Sequence, residues 1–335
     1  MNDMKNILKE KCDLFIANRD AFKAAFPMES SYLYPVCASY FVDLGRVADT
    51  QQLKNCRKLL KSRVSVFSNF RSSAELTIVA MLASHDEPEK YLDDAMEIYK
   101  SLKEHFFGSE YLPVASMILA QGISHERYAE VCEKSRKIYD LMKKNHPFLT
   151  SSEDCVFCAM LAMSEKSAEQ IVNETEVCYE KLRERFSDRN AVQSLSHVIV
   201  LSDDSGLSIG DRCRDTIRLF EALKEKKHKY GTGYELATLG VLSTLPCGIE
   251  ETVQDIIVVS DFLKTQKGYG FMGFDRVPRL MHAGMIVTSA HLGETRTMQG
   301  AAIGSTLSII AAQQAATCAV LAASMAATSV ATRSQ

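Results

Sequence analysis

Apolar residues recur at three- and four-residue intervals along most of this chain, the spacing that gathers side chains on one stripe of an α-helix. Leu92, Ala95, Tyr99, Leu102 and Phe106 form one such stripe, and Tyr128, Cys132, Ser135, Tyr139 and Met142 form the next. Ile171, Thr175, Cys178, Leu182 and Phe186 follow, then Cys213, Thr216, Phe220 and Leu223. After each of these amphipathic helices, termed A, comes a segment apolar on more than one face: YLPVASMILA from Tyr111, CVFCAMLA from Cys155, AVQSLSHVIVL from Ala191 and YELATLGVLSTL from Tyr234. These B segments predict interior helices lying between neighbouring A helices. No long segment alternates apolar and polar residues with a period of two, which argues against strands and against α/β architectures such as a dinucleotide-binding domain.

The A helices resemble one another in sequence. IYKSLKE around Tyr99, IYDLMKK around Tyr139, CYEKLRE around Tyr179, LFEALKE around Phe220 and VSDFLKT around Ser260 share one pattern at a spacing of ~40 residues, which suits one helix pair per repeat. The expected fold is therefore all-α, an α-solenoid or α/α superhelix of tandem helical hairpins, organised as a single domain over residues 1–335. Residues 1–60 supply N-terminal cap helices, 61–290 the hairpins and 291–335 an Ala-rich C-terminal helical segment. Tyr99, Tyr139, Tyr179 and Phe220 are expected at equivalent, largely buried sites. Asp86 with Glu89, Thr150 with Glu153 and Thr232 with Glu235 have capping-box spacing and predict helix starts, while Gly108, Gly231 and Gly233 mark turns.

From Thr297 to Thr332 no residue is charged, and Ala, Ser and Thr dominate. The stretch is long enough to span a bilayer, but Gln313 and Gln314 sit in its middle, Ala supplies most of its apolar surface, and aromatic belts are missing. The favoured reading is a helix that packs inside the chain or against a second subunit, giving a homo-oligomer. Membrane association through the tail is the alternative.

Composition narrows the partners. A formal net charge of −3 offers no global field for phosphate backbones or anionic lipid, so nucleic acid is not expected. The ten cysteines are scattered through apolar helical stretches and read as reduced, buried small hydrophobes. Lys5, Lys9, Glu10 and Lys11 interrupt the N-terminus, so it lacks the apolar run of a signal peptide, and a cytoplasmic location is expected.

FSNFR at Phe67–Arg71, MKKNHPFLT at Met142–Thr150, QSLSHVIVL at Gln193–Leu201 and AQQAAT at Ala312–Thr317 resemble a bacterial family catalogued as domain of unknown function 4003. The resemblance runs over nearly the whole chain. It implies an uncharacterised helical protein and carries no activity, cofactor or catalytic residue with it.

Catalytic constellations are weak. Cys155 and Cys158 form an isolated CxxC among apolar residues, with no second pair to complete a zinc site, and read as core. His85–Asp86 matches the dipeptide of metal-dependent phosphohydrolases, yet Asp86 before Glu87, Pro88 and Glu89 reads as a helix cap. His146 and His197 read as structural. No GxSxG elbow occurs, and KGYGFMGFD from Lys267 lacks the spacing of a phosphate loop and reads as a long hairpin loop. Glu110, Glu153, Asp154, Asp188, Glu235 and Asp275 fall at A–B turns, where an α/α-type hydrolase would set a carboxylate pair or a His-centred site; helix-start roles are the simpler reading. Neither metal nor cofactor is expected, and enzymatic activity is disfavoured.

The A–B turns share one further property. FSNFR, HFFGSEY, NHPFLT, FSDRN, KYGTGY and KGYGFMGF each carry an aromatic residue, and stacked hairpins would bring these turns to a single edge. A protein or peptide partner is therefore expected there, held by Arg71, Phe107, His146, Phe148, Tyr230 and Tyr234 as partly exposed anchors. The competing expectation is that each ring plugs its own hairpin end.

Overall fold

The computed structural model describes residues 2–106, 108–202, 206–270 and 273–299, and over them the chain is all-helical. The one extended pairing among the described residues is an isolated bridge between Tyr269 and Phe274. Two compact units can be distinguished, one of residues 17–172 and one of residues 2–16 with 173–299.

The 17–172 unit takes up the end of α1 (Asn2–Ala25), then α2 (Leu33–Asp43), α3 (Thr50–Arg63), α4 (Glu75–Ser84), α5 (Pro88–His105), α6 (Leu112–Gly122), α7 (Tyr128–Asn145), α8 (Asp154–Ala162) and the start of α9 (Ala168–Arg183). α2, α4, α6 and α8 are its interior layer: α4 packs on α2 and α6, and α6 packs on α8. Burial follows composition. Leu76–Ala83 of α4, Leu112–Leu119 of α6 and every residue of α8 are buried, as segments apolar on all faces require. The amphipathic α3, α5 and α7 cover this layer, each packing on the interior helix that follows it.

In the other unit, the rest of α9 is followed by α10 (Arg189–Leu201), α11 (Ile209–Glu225), α12 (Thr238–Leu242), α13 (Gly248–Lys264) and α14 (Arg276–Gln299). α12 packs on α10 and α14, and α13 packs on α11 and α14. Gly240 permits the close α10–α12 approach, because a Cβ there would stand 2.9 Å from Val198 Cγ1 and 3.2 Å from Leu195 Cδ1.

Along the amphipathic helices one order of exposure recurs. Residues 91–98, 131–138, 171–178, 212–219 and 252–259 all run buried, buried, exposed, half-buried, buried, half-buried, exposed, buried. Tyr179 and Phe220 are buried, whereas Tyr99 and Tyr139 keep part of their rings in solvent. Edge-to-face ring pairs follow the same helices: Phe70 on Tyr99 at 5.0 Å, Phe106 on Tyr139 at 5.4 Å and Phe186 on Phe220 at 5.1 Å between centroids.

Local expectations fail where short motifs were read without their packing. None of the three motifs sets the N-cap at its expected residue: α5, α8 and the 3₁₀ turn Tyr234–Ala237 have Glu87, Glu153 and Gly233 there. At the start of α5, His85 Nδ1 accepts the Glu87 N–H at 3.1 Å and its ring stacks on Tyr91, so the imidazole takes the capping role expected of Asp86. α8 begins at Asp154, whose carboxylate accepts the Ser151 N–H at 2.8 Å, rather than after a Thr150 cap. The segment from Tyr234 is a 3₁₀ turn (Tyr234–Ala237) followed by the short α12, with the Thr238 hydroxyl bonded back to the Glu235 carbonyl at the change of pitch. The expectation for the Ala-rich tail, Gly300–Ala331, lies outside the described residues. No helix among the described residues is long and apolar enough to cross a membrane.

Candidate functional site

Hydrogen bonds tie consecutive turns of the 17–172 unit together. Asn69, in the 3₁₀ turn Asn69–Arg71, donates from Nδ2 to the Ser109 carbonyl at 3.0 Å, and the Ser73 hydroxyl donates to Glu110 Oε2 at 2.6 Å. Ser109 in turn donates to the Ser152 carbonyl at 3.4 Å. The turns that follow α3, α5 and α7 therefore share one edge within this unit.

A cavity of about 450 Å³ opens at that edge. Its aromatic wall is built by Phe67, Phe70 and Tyr99, and its cationic wall by Arg63 from the end of α3 with Lys100 and Lys103 from α5. Phe70 is buried and holds Tyr99 edge to face, while Asn69 donates to the Tyr99 hydroxyl at 3.3 Å. Burial, opposed by that hydrogen bond, pushes the Tyr99 phenol above its ordinary range. Phe67, by contrast, is 94% exposed, an unusual state for a ring that has a hydrophobic wall beside it. Arg63 pairs with Asp93 at 2.8 Å and Lys103 lies 5.6 Å from the Tyr99 ring centre. Among the described residues no carboxylate is paired with Lys100 or Lys103, so the cavity presents net positive charge beside aromatic surface.

The sequence-designated anchors divide. Arg71 is half-buried in the 3₁₀ turn beside the cavity, and Phe148 is fully exposed on the turn after α7. His146 is half-buried and ends α7 as its C-cap. Tyr230 corrects the expectation of partial exposure: it is 1% exposed, with its hydroxyl 2.6 Å from Thr238 Oγ1, and so plugs its own hairpin. Phe107 and the side chain of Tyr234 lie outside the described residues. Sequence reasoning passed over Arg63, Lys100 and Lys103, because a cation on the outer face of an amphipathic helix looks like any solvated charge until packing sets it beside a ring.

Three of the six turn carboxylates are engaged by backbone N–H groups. Asp188 accepts the Ala191 N–H at 3.1 Å at the start of α10, Asp275 accepts the Val277 N–H at 2.9 Å at the start of α14, and Asp154 accepts the Ser151 N–H. Burial raises Glu235, and the charges of Asp275 and Asp188 add to that rise. Asp154 is buried, which lifts its carboxyl to about 7. Cys155 and Cys158 are both buried in α8, and Cys158 Sγ lies 3.9 Å from Met142 Sδ, so the CxxC belongs to the core. Among the described residues no group of three or more His, Cys, Asp or Glu is placed to hold a metal ion.

The chain matches a known family model, described as a protein of unknown function (DUF4003), over residues 18–315. The chain belongs to that family. It is also similar to the uncharacterized protein YeaA of Bacillus subtilis (strain 168), with 23% identity over 272 residues, covering 78% of this chain and 80% of that protein. No solved structure matches it.

Proposed function

We propose that the protein is a non-catalytic α-solenoid whose hairpin-turn edge recognises an acidic, apolar-containing segment of a protein or peptide partner. The recurring order of buried and exposed positions on the amphipathic helices supports the repeat, with its period of ~40 residues, because stacked identical units bury the same positions of each. The observation that carries the binding reading is the cavity at Phe67, where an exposed ring and the cations Arg63, Lys100 and Lys103 surround a partly apolar space. Aromatic and Arg anchors around a pocket concentrate binding energy, and unpaired lysines select an anionic partner. The hydrolase alternative is less well supported, since Asp154, Asp188 and Asp275 each give a carboxylate oxygen to a backbone N–H at a helix start.

Affinity capture from source-cell lysate, run in parallel on the wild type and on Phe67→Ala and Lys100→Glu/Lys103→Glu variants, tests the proposal. A specific partner should be retained by the wild type and lost from both variants. A partner retained equally by all three places recognition elsewhere.

A further inference from the structure

The ring wall of the Phe67 cavity has counterparts on later helices. Phe70 with Tyr99, Phe106 with Tyr139 and Phe186 with Phe220 each join a ring from the turn after one amphipathic helix to a ring on the next. An arginine covers the second and third of these pairs. The Arg136 guanidinium lies 5.5 Å from the centres of both Phe106 and Tyr139, and that of Arg185 lies 5.5 Å from Phe186 and 4.9 Å from Phe220. Among the described residues no guanidinium stands over Phe70 or Tyr99, and the cation beside this pair is Lys103, 5.6 Å from the Tyr99 ring centre.

Two positions in the sequence account for the difference. Residues 91–98 and 131–138 share one order of burial, and Ile98-Tyr99-Lys100 aligns with Ile138-Tyr139-Asp140. Met96 therefore takes the place of Arg136, and Lys100 the place of Asp140. Arg136 is fixed over its rings by two bonds, from Nε to Asp140 Oδ2 at 2.9 Å and from Nη1 to the His105 carbonyl at 2.7 Å. Met96 has neither charge nor fork, and it lines the cavity with Tyr99, Lys100 and Lys103. The space beside the two helices differs accordingly. A groove of about 410 Å³ beside α7 has Arg136, Asp140 and Glu133 in its wall but no Phe or Tyr ring. The cavity of about 450 Å³ beside α5 keeps Phe67, Phe70 and Tyr99 in its wall, and the charged residues lining it are all cations.

Charge and shape together select what fills the uncovered face. A guanidinium brought by a partner would meet Arg63, Lys100 and Lys103 and be repelled. A carboxylate alone would satisfy the lysines and leave the ring wall in water. An aromatic side chain can stack on or meet edge to face the rings of Phe67 and Tyr99 and touch the Met96 sulfur, while acidic neighbours in its own chain reach the lysines. The volume lies within the ~300–1,000 Å³ of ordinary ligand pockets.

We infer that the cavity is an aromatic-anchor site, which takes one Trp, Tyr or Phe side chain flanked by Asp or Glu in the partner segment. Met96 is the specificity-determining residue, because it leaves open the ring face that arginine covers in later repeats. The inference rests on the turn-edge reading and adds to it the identity of the anchor.

The chain contains no Trp, so the emission of a Trp in a probe peptide reports the probe alone. The probes are the capped peptides Asp-Asp-Trp-Asp-Asp, Asp-Asp-Leu-Asp-Asp and Asn-Asn-Trp-Asn-Asn, titrated against the full chain, with the Leu peptide read by competition. The acidic Trp peptide should bind with a blue-shifted emission, and each of the other two should bind at least about tenfold more weakly. Lys100→Asp should weaken both acidic peptides and keep the preference for Trp over Leu. Met96→Arg/Lys100→Asp, which transfers the Arg136–Asp140 pair, should erase that preference, as should Met96→Phe, which fills the space and leaves every charge in place. Melting curves establish that each variant is folded. A preference for Trp that survives in either folded Met96 variant would overturn the inference, and so would its absence from the wild type. Equal binding of the two acidic peptides by the wild type, with both weakened by Lys100→Asp, would remove the aromatic anchor and leave the turn-edge reading standing.

Discussion

Arg185 holds its guanidinium 4.9 Å from the centre of the Phe220 ring, on a ring that Phe186 also meets edge to face. The same guanidinium pairs with Glu221, so one side chain joins the end of α9 to the outer face of α11. Arg136 does the same in the other unit, 5.5 Å from the centres of both Phe106 and Tyr139. Each contact is an aromatic pair roofed by a cation, and burial of the ring dominates its energy.

Phe220→Ala should therefore destabilise the chain by ~3–5 kcal/mol, since a fully buried ring is removed and a cavity left. Arg185→Ala should cost ~1 kcal/mol, because the guanidinium is partly solvated. Urea denaturation of the two variants checks the ranking, and equal losses would contradict it.

Asp154 gives a pH dependence of known sign. Its folded-state value of about 7 lies above the ordinary 3.8, so the folded chain holds a proton that the unfolded chain releases first. Its favourable contribution is intact below about pH 4 and is lost as the pH rises through about 7. Asp154→Asn keeps an oxygen for the Ser151 N–H and cannot ionise. The variant should gain a few kcal/mol over the wild type between pH 4 and 8. Melting temperatures that run parallel for the two proteins across that range would refute this.

Tyr230 and Phe148 test the division of the turn aromatics. Tyr230→Phe removes the hydrogen bond to Thr238, whose hydroxyl keeps the Glu235 carbonyl, and should cost ~1 kcal/mol, whereas Phe148→Ala, at a fully exposed ring, should change stability by less than ~0.5 kcal/mol. Thermal melts decide it, and the reverse order would mean that the plugged and exposed rings have been exchanged.

Gly240→Ala should be among the most damaging small substitutions. The added methyl would meet Val198, Leu195 and Ile199 at the α10–α12 crossing, and overpacking of this kind costs ~1–3 kcal/mol. A variant as stable as the wild type in urea would show that the two helices move apart freely.

These outcomes separate what the sequence made legible from what it did not. The alternation of amphipathic and all-apolar helices was readable because three- and four-residue spacing is set by the helix itself, as at Leu92, Ala95, Tyr99 and Leu102. Capping was misread because Asp86–Glu89 and Thr150–Glu153 satisfy the spacing while His85 and Asp154 do the bonding, which depends on side-chain direction and not on order. The candidate edge was half legible. Its aromatics stood out turn by turn, but the split between exposed Phe67 and buried Phe70 in one pentapeptide, and the convergence of Arg63 with Lys100 and Lys103, arise only from packing. The contact of Asp255 with His291 carried no local signature at all, since two helical residues far apart in the chain meet only where α13 and α14 pack.

The claim of recognition at the Phe67 cavity is tested most directly by fluorescence anisotropy with peptides selected from a random display library on the full chain. The account predicts that the selected peptides combine acidic with apolar residues, and that Lys100→Glu/Lys103→Glu and Phe67→Ala each weaken them at least about tenfold while Phe148→Ala does not. Selected peptides that lack acidic residues, or that bind the charge-reversed chain as tightly as the wild type, would contradict it.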